Sequence, residues 1–399
     1  MKVLFFVRDI RASSVTFIRR QIQLISEENE VLVVTIDHEP EFSINSFSCV
    51  GIPFQDSFWT NKPFRRLKEW DVFFGSFNPP FGKRLRAVVN DFEPDLIHCQ
   101  FGTDALFFLD HFTNAKEIPV FIQFRGYDAS LMYSKESYKR RLRALFKTSW
   151  IHPIYVSNDQ YNRTLEQGIF PDKKRILYSC TDVDFFDFNP KNIGEEIKTF
   201  QLLQVGRLVE VKGHRFSLQA IQIASEFLDK YDIKIELLLA GEGPLFLDLK
   251  EEANQLGISE KVSFLGGVTP QEIREILSKA DCLLHPSTTT KDGGMEGIPN
   301  AIMEALAVGM PAVATRHSGI AELWCENGGL FLFEEREIKN YAQIIIDLAL
   351  KNLKFDPRIS RNHIVKNFST DQHRTQLSKF YHNELGVPST QKAELAHES

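Results

Sequence analysis

The 399-residue chain has few cysteines and no long apolar run. No pair of cysteines has Cys-x-x-Cys spacing, so we expect neither a disulfide framework nor a structural zinc site. The apolar run Val3 to Val7 stops at Arg8 and is too short for a signal sequence or a membrane span. Since no uncharged apolar run elsewhere approaches about 18 residues, we expect a cytoplasmic protein that does not cross a bilayer.

Net positive charge is also absent, since the formal charge is −6 at pH 7. With no recognisable nucleic-acid module either, we expect no nucleic-acid partner. The turn Gly241-Glu242-Gly243 lacks the third glycine of a dinucleotide loop, because Phe246 stands there, so NAD binding is excluded. Asp182 and Asp184 have no second acidic cluster nearby in sequence, so we expect no metal and no cofactor.

Short apolar runs alternate with helical patterns in two series, which predicts two parallel sheets covered by helices. The first series begins at Val3 and the second at Thr199. Turn-forming residues at 188–194 place the boundary between them, which predicts domains at 1–190 and 198–369. The expected fold class is α/β, with two doubly wound, Rossmann-like domains and ligands at the carboxyl ends of their strands.

The stretch from Leu283 to Glu322 holds two glutamates, Glu296 and Glu304, on either side of a predicted helix start at Pro299. We expect Glu304 about two turns into that helix. The first N–H groups of a helix bind phosphate or pyrophosphate. Carboxylates tolerate a nearby phosphate only when they bind hydroxyl groups, so the predicted ligand carries sugars on both sides of a pyrophosphate. That ligand is a nucleotide sugar.

The spacing of these glutamates resembles the signature of glycosyltransferase family 4, and it is followed by the run 305–315 typical of that family. Residues 205–213, 240–244 and 264–266 also match family motifs in the family's order. The resemblance implies the GT-B fold, with two domains facing a deep cleft. It also implies that a helix at 370–385 crosses back to the first domain, and residues 386–399 are expected to be a tail.

The same resemblance implies a metal-independent, retaining transferase. Glu296 would contact the donor sugar, while Arg207 and Lys212 would neutralise the leaving diphosphate; alternatively, both cations are simply exposed on a loop. Glu304 would bind the ribose diol. Further donor-binding residues are implied to be Gly297, Ile298, Pro299, Asn300, Gly241, Gly243, Val268 and Pro286. The two glycines fit an ordinary strand-to-helix turn almost equally well.

Acceptor-binding residues are implied in the first domain: Ser14, Thr16, His98 and Asp128. Ser14 is equally a helix cap, and a lone His98 is more often structural than catalytic. The chain departs from the family pattern at two positions, since Arg125 and Gln100 stand where many members have histidine. Arg125 cannot act as a general base. It could instead bind an anionic acceptor, such as a lipid phosphate or a uronate, as part of the catalytic site.

Two basic segments, Lys62 to Arg86 and Tyr138 to Lys147, suit an anionic membrane surface as well as they suit a solvated face. The resemblance implies a hexosyltransferase that acts on a lipid-linked or oligosaccharide acceptor in exopolysaccharide or lipopolysaccharide synthesis. With the basic segments, it leads us to expect a protein that is peripheral on the inner face of the membrane. The loop at 288–295 is similar to that of colanic-acid-type members. The alternative is a family member that binds a nucleotide sugar or a transferase without catalysis, and a same-fold epimerase is third.

Overall fold

The computed structural model describes residues 1–11, 15–44, 47–54, 79–191 and 198–386. They form two compact units. Unit 1 comprises Met1–Leu177 together with the C-terminal segment from His373, and unit 2 comprises Tyr178–Gln372. Within the described ranges, no helix is long and apolar enough to cross a membrane.

Unit 1 is built on a seven-stranded sheet. Its strands are β1 (Lys2–Phe6), β2 (Glu30–Thr35), β3 (Glu41–Ile44), β4 (Phe47–Gly51), β5 (Leu96–Cys99), β6 (Val120–Phe124) and β7 (Ile151–Tyr155). They lie in the order β3-β4-β2-β1-β5-β6-β7, and β3 runs antiparallel to β4 while the other pairs are parallel. Leu4 and Phe6 enter the core on one face, and Val3 and Phe5 on the other. Burial on both faces explains why β1 is a continuous apolar run.

In the described ranges, five α-helices cover this sheet before the chain leaves unit 1. They are α1 (Thr16–Ser26), α2 (Pro79–Phe92), α3 (Gly102–His111), α4 (Glu136–Leu145) and α5 (Asn158–Glu166). Helix α1 shows why such segments fold against the sheet. It buries Ile18, Gln21, Ile22 and Ile25, which fall on one face of a helix with 3.6 residues per turn.

Unit 2 has a six-stranded, wholly parallel sheet. Its strands are β8 (Thr199–Val205), β9 (Lys234–Ala240), β10 (Val262–Gly266), β11 (Cys282–His285), β12 (Ala312–Thr315) and β13 (Leu330–Phe333), in the order β10-β9-β8-β11-β12-β13. The covering helices are α6 (His214–Leu228), α7 (Phe246–Gln255), α8 (Pro270–Leu277), α9 (Asn300–Val308), α10 (Ile338–Ala349) and α11 (Pro357–Phe368). The chain winds outward from β8 in both directions, so the crevice beside the carboxyl ends of β8 and β11 is the topological switch point where such sheets bind ligands.

The division between the units differs from the predicted boundary. Residues 178–190, which the turn signal assigned to the first domain, belong to unit 2. The Thr181 N–H donates to the Phe368 carbonyl at 2.9 Å. Arg361 donates to the Phe186 carbonyl at 2.7 Å, and Phe186 is buried in the core of unit 2. These partners lie far apart in sequence, so a local turn signal does not report them.

The predicted strands need two further corrections. The segment Arg175 to Tyr178, predicted as a strand, makes only an isolated bridge between Ile176 and Tyr155. Strands β3 and β4 were not predicted, because β3 lies at the sheet edge with exposed Glu41 and Ser43 and lacks a continuous apolar run.

The last helix of the described chain, α12 (Thr370–Leu385), returns to unit 1 from His373, as the resemblance implied. Its Leu377 and Tyr381 are buried in the core on one face of the first sheet. The Tyr381 hydroxyl lies 2.5 Å from Nδ1 of His98, which also stacks on Phe5 with ring centroids 5.1 Å apart.

His98 is therefore a core histidine, and the structure favours the structural interpretation over an acceptor-binding role. It is fully buried, and its Nε2 has no hydrogen-bond partner within the described part of the chain. Burial, assisted by the charge of Arg125, lowers the pKa of His98 well below its ordinary value, so the ring is neutral at pH 7.

We predict that Tyr381→Phe destabilises the protein by about 1 to 2 kcal/mol, because Nδ1 of buried His98 then loses its hydrogen bond. Urea denaturation of the whole chain measures the loss. Tyr231→Phe is the matched control, since that side chain is 54% exposed, and it should behave as wild type. A Tyr381→Phe variant as stable as wild type would contradict the packing described for α12.

Candidate functional site

The loops that follow β8, β11, β12 and β13 meet at one edge of the second sheet, because these four strands are neighbours and all run parallel. Lys212 follows β8, His285 ends β11, His317 follows β12 and Glu335 follows β13. Parallel strands place their carboxyl ends together, so residues more than a hundred positions apart converge here.

Glu296 is the centre of this convergence. Its Oε1 lies 2.5 Å from Lys212 Nζ. Its Oε2 accepts hydrogen bonds from Ser287 Oγ at 2.6 Å and from His285 Nε2 at 3.0 Å. The carboxylate is 12% exposed and the Lys212 side chain 18% exposed. The structure thus brings together two predicted catalytic residues, Glu296 and Lys212, in a direct and largely buried ion pair.

The electrostatics of the cluster keep Glu296 ionised. Burial by itself raises the pKa of a carboxyl group, but Lys212 and His285 outweigh it and hold the pKa of Glu296 well below its ordinary value. Burial and then the charge of Lys212 lower the pKa of His285, so its ring is neutral. A neutral ring that donates from Nε2 to a carboxylate has its acceptor nitrogen at Nδ1, and that atom has no partner among the described residues.

His214 is a second buried histidine that the sequence did not single out. It is the first residue of α6, and burial together with the charge of Lys212 lowers its pKa to about 3. Neither ring nitrogen finds a hydrogen-bond partner in the described ranges. The sequence did contain a signal for these two histidines, because His214 follows the Lys212-Gly213 motif and His285 ends a predicted strand. A single histidine does not predict a site unless the residues that surround it in the fold are known.

A second layer of hydrogen bonds fixes the main chain of Lys212. Gln204 Nε2 donates to the Lys212 carbonyl at 2.9 Å, and Gln204 Oε1 accepts from Ser217 Oγ at 2.7 Å. Ser217 Oγ lies 3.0 Å from the Tyr341 hydroxyl. The side chains of Gln204, Ser217 and Tyr341 are all buried, so the main chain of Lys212 is held in a fixed position.

Arg207, the other predicted cation, is exposed and has no recorded side-chain hydrogen bond or ion pair to the described residues. It stands on the turn after β8, where Leu208 N–H donates to the Glu242 carbonyl at 2.8 Å. The structure does not bring Arg207 into the Glu296 cluster.

Gly241 and Gly243 allow this turn to approach its neighbour. A Cβ atom on Gly241 would lie 2.1 Å from the carbonyl oxygen of Gly206, and one on Gly243 would lie 2.4 Å from that of Leu208. Gly241 also has φ +146°, which few other residues adopt. The two glycines are thus required by the close packing of two backbone turns, and their predicted contact with a donor stays a prediction.

The predicted donor loop runs directly from Glu296 through the buried Ile298 and Pro299 into α9. Pro299 is the N-cap, and no side chain caps the helix. Asn300 is the first helical residue, so half-buried Glu304 lies just over one turn into the helix rather than the predicted two. Gly297 precedes this start and joins it to Glu296.

Val268 and Pro286, two further predicted donor-binding residues, follow different strands. Half-buried Val268 comes after β10 and buried Pro286 after β11, with β9 and β8 between those strands. Asp182, which opens the acidic Asp-x-Asp sequence, accepts from the Phe185 N–H at 3.0 Å and so closes a turn. Within the described part of the chain, no group of three His, Cys, Asp or Glu residues is placed to hold a metal.

In unit 1, Arg125 is enclosed by three glutamines. Its Nη2 donates to the Oε1 atoms of Gln21, Gln100 and Gln123 at 2.5, 2.6 and 3.1 Å, and its Nε donates to Gln100 at 3.0 Å. The guanidinium also lies 4.8 Å from the centre of the Phe17 ring. The two departures from the family pattern, Arg125 and Gln100, are therefore in direct contact.

Asp128 braces the loop after β6. Its Oδ1 accepts from the N–H groups of Arg125 and Gly126, both at 3.0 Å, and its Oδ2 accepts from Gly102 N–H at 2.9 Å. The residue is fully buried, which favours a structural role over contact with an acceptor. Thr16 is exposed at the start of α1, whose N-cap is Val15 without a side-chain cap.

Ser14 and most of the basic segment Lys62 to Arg86 lie outside the described residues. The second basic segment forms α4, and several of its cations bind within unit 1. Arg141 pairs with Asp110, and Arg143 pairs with Glu136 at 2.6 Å. Arg140 and Lys147 are the exposed cations of that helix and its end.

We predict that Lys212→Met destabilises the protein by about 3 kcal/mol, because it leaves the Glu296 carboxylate buried without its cation. The double variant Lys212→Met/Glu296→Gln should recover part of that loss, since the uncompensated charge is gone. Chemical denaturation at pH 7 measures both. A double variant less stable than Lys212→Met alone would show that the pair is not the dominant interaction.

Comparison with known proteins identifies relatives of the second unit and of about half of the chain. Residues 185–367 match the family of glycosyl transferases group 1. The chain is 31% identical over 226 residues to the amylovoran biosynthesis glycosyltransferase AmsK of Erwinia amylovora, which covers 57% of this chain and 54% of that protein. It is 30% identical over 220 residues, 55% of this chain and 52% of the relative, to WcaL of Escherichia coli, provisionally named a colanic acid biosynthesis glycosyltransferase. The chain spans about half the length of the curated relatives it matches.

Solved structures match over nearly the whole chain at low identity. A glycosyltransferase from Rickettsia africae has a TM-score of 0.71 at 15% identity, covering 96% of this chain and 98% of that one. Anabaena HepE in complex with UDP-glucose has a TM-score of 0.71 at 17% identity, covering 96% and 100%. Such likenesses establish the fold alone. The chain therefore has the GT-B fold, and within it residues 185–367 match the family of glycosyl transferases group 1.

Proposed function

We propose that this protein transfers a sugar from a nucleoside diphosphate sugar to an acceptor hydroxyl group, with unit 2 binding the donor. The observation that carries the proposal is the largely buried ion pair of Glu296 and Lys212. From Glu296 the chain continues through Pro299 to the start of α9, which no side chain caps. A helix start without a side-chain cap offers N–H groups to a phosphate, and Lys212 adds a positive charge beside it.

Lys212 also resolves an electrostatic conflict. A carboxylate and a diphosphate repel each other, and the repulsion is strong at a largely buried position. A cation that touches the carboxylate at 2.5 Å lowers the cost of bringing a diphosphate alongside. Glu296 is then free to accept hydrogen bonds from sugar hydroxyls and to stabilise positive charge that develops on the ring during bond cleavage.

The reaction we propose is a retaining, metal-independent transfer. The bond between the anomeric carbon and the diphosphate oxygen breaks, and the acceptor oxygen bonds to that carbon on the same face. The leaving phosphate takes the acceptor's proton, so no protein base is needed, which suits a chain with Arg125 at the predicted acceptor position. Lys212 binds the departing phosphate more tightly as its charge grows, and that difference lowers the barrier.

For the acceptor we propose an anionic oligosaccharide or lipid-linked sugar bound by unit 1 through Arg125. The guanidinium is half-buried, and hydrogen bonds to the amide oxygens of three glutamines hold it in one orientation. AmsK and WcaL are named for polysaccharide biosynthesis, which supports a role in exopolysaccharide or lipopolysaccharide synthesis. UDP-glucose in HepE supports a uridine nucleotide as the first donor to try. Membrane contact through Arg140 and Lys147 and a cytoplasmic location stay predictions.

The alternative is a protein that binds a nucleotide sugar without catalysis. The structure weakens one of the arguments for it. Arg125 and Gln100 suggested degeneration when each was considered alone. Their two hydrogen bonds, at 2.6 and 3.0 Å, make them a matched set within a buried glutamine cluster.

Release of nucleoside diphosphate from UDP-, GDP- and ADP-sugars, with and without a lipid extract of the producing organism, tests the proposal. We expect release from one donor class, stimulated by the extract. Glu296→Gln should lower it by about 100-fold or more, because a group that stabilises the transition state is lost. Glu304→Ala should weaken donor binding, and Glu334→Gln, an exposed carboxylate after β13, should match wild type. Saturable donor binding without release would establish the non-catalytic alternative.

We predict further that Arg125→Gln raises the KM for an anionic acceptor about 10- to 100-fold, the value of one charged hydrogen bond, with donor affinity unchanged. The KM of Arg125→Lys should lie between those of wild type and Arg125→Gln, because lysine keeps the positive charge but lacks the planar guanidinium that can donate two parallel hydrogen bonds. Steady-state kinetics with a uronate-containing acceptor and its neutral analogue measure the effect. Equal losses with both acceptors would contradict recognition of an anion.

A further inference from the structure

Glu335 is a carboxylate at the same sheet edge to which no step above gives a role. It follows β13 and makes hydrogen bonds to the loops that follow β11 and β12. Its Oε2 accepts from Thr289 N–H at 2.8 Å and from Thr288 Oγ1 at 3.0 Å, and its Oε1 accepts from Thr289 Oγ1 at 3.0 Å. The same Oε1 lies 2.6 Å from His317 Nδ1.

This contact fixes the tautomer of His317. An ionised carboxylate only accepts hydrogen bonds, so Nδ1 of the ring carries the proton. Burial raises the pKa of Glu335, but the hydrogen bonds from His317 and Thr289 outweigh it and leave that pKa lowered, so the carboxylate is ionised at pH 7. With its proton at Nδ1, the ring has Nε2 available as a hydrogen-bond acceptor.

Nε2 of His317 accepts the backbone N–H of Glu296 at 3.2 Å. On the other side of the same residue, Ser318 Oγ donates to the Glu296 carbonyl at 2.8 Å. The His317 side chain is fully enclosed. Both backbone polar groups of Glu296 are therefore held by the turn after β12, and Glu335 sets the state of the ring that holds one of them.

We propose that His317 and Glu335 are positioning residues that fix the main chain of Glu296 and so aim its carboxylate at the donor sugar. The aiming rests on the proposed function, whereas the fixing of the backbone does not. The loop needs such an anchor because Gly293, Gly294 and Gly297 flank Glu296 and have wide backbone freedom. Electrostatic stabilisation of a transition state requires a carboxylate placed to within about 0.5 Å.

Two variants and two controls test the proposal in the full-length protein. His317→Ala removes the acceptor, and Glu335→Ala removes the group that selects the tautomer. His317→Gln supplies one acceptor and one donor at a similar reach and should restore most of the function. Arg316→Ala is the matched control, since Arg316 and Glu334 form an ion pair in the same two loops that is 55% and 62% exposed.

Hydrogen exchange of the ligand-free protein reads the positioning directly. We expect faster exchange in the peptide that contains Glu296 for His317→Ala and Glu335→Ala, and wild-type exchange for Arg316→Ala. In turnover, both alanine variants should lose about 10- to 100-fold in kcat, as misplacement of a reacting group by about 1 Å does. Binding of the nucleoside diphosphate without its sugar should stay within twofold of wild type.

A double variant separates positioning from general damage. In the Glu296→Gln background, His317→Ala should cost no further activity, because the carboxylate that it aims is already gone. Unchanged exchange in both alanine variants, or a full additional loss in that background, overturns the proposal. A wild-type protein that releases no nucleoside diphosphate overturns the proposed function instead, while the exchange measurement still decides whether His317 and Glu335 hold the loop.

Discussion

The site at the edge of the second sheet depends on the ion pair between Lys212 and Glu296. A carboxylate that is 12% exposed stays ionised only when a cation and hydrogen-bond donors replace the water it has lost. Those partners come from the loops after β8 and β11, and the turn after β12 holds the backbone. The parallel sheet is what makes this possible, because it delivers the ends of neighbouring strands to one edge without any of them being close in sequence.

The ion pair of Lys212 and Glu296 also indicates which ligand groups the site would bind well. Glu296 is already desolvated and bonded through both oxygens. In the function that we propose, a sugar hydroxyl would meet a fixed acceptor, and a phosphate would meet a lysine that is already in place. Little reorganisation is needed, which is the condition under which electrostatic stabilisation of a transition state is greatest. The Arg125 side chain in the first unit is also held in place, because it donates hydrogen bonds to buried amide oxygens.

The sequence predicted most strands, α1 with its observed bounds, and the position of Lys212 after the first strand of the second sheet, at the edge where parallel sheets bind ligands. Those features depend on local apolar runs and on the geometry of parallel sheets. It did not predict the contact of Arg125 with Gln100, the anchor of Glu296 on His317, or the assignment of residues 178–190 to the second unit. Each of these depends on pairs at least 21 residues apart whose partners carry no distinctive local pattern. The sequence left His98 open between a structural and an acceptor-binding role, because its partner, Tyr381, lies at the other end of the chain.

A crystal structure of the protein with an uncleaved nucleoside diphosphate sugar tests the central claim most directly. The account predicts a diphosphate oxygen within hydrogen-bonding distance of Lys212 Nζ, phosphate at the start of α9, and sugar hydroxyls on Glu296, whose main chain remains bonded to His317. A nucleotide bound elsewhere, with the pair of Lys212 and Glu296 unchanged and in contact with no ligand, would contradict it.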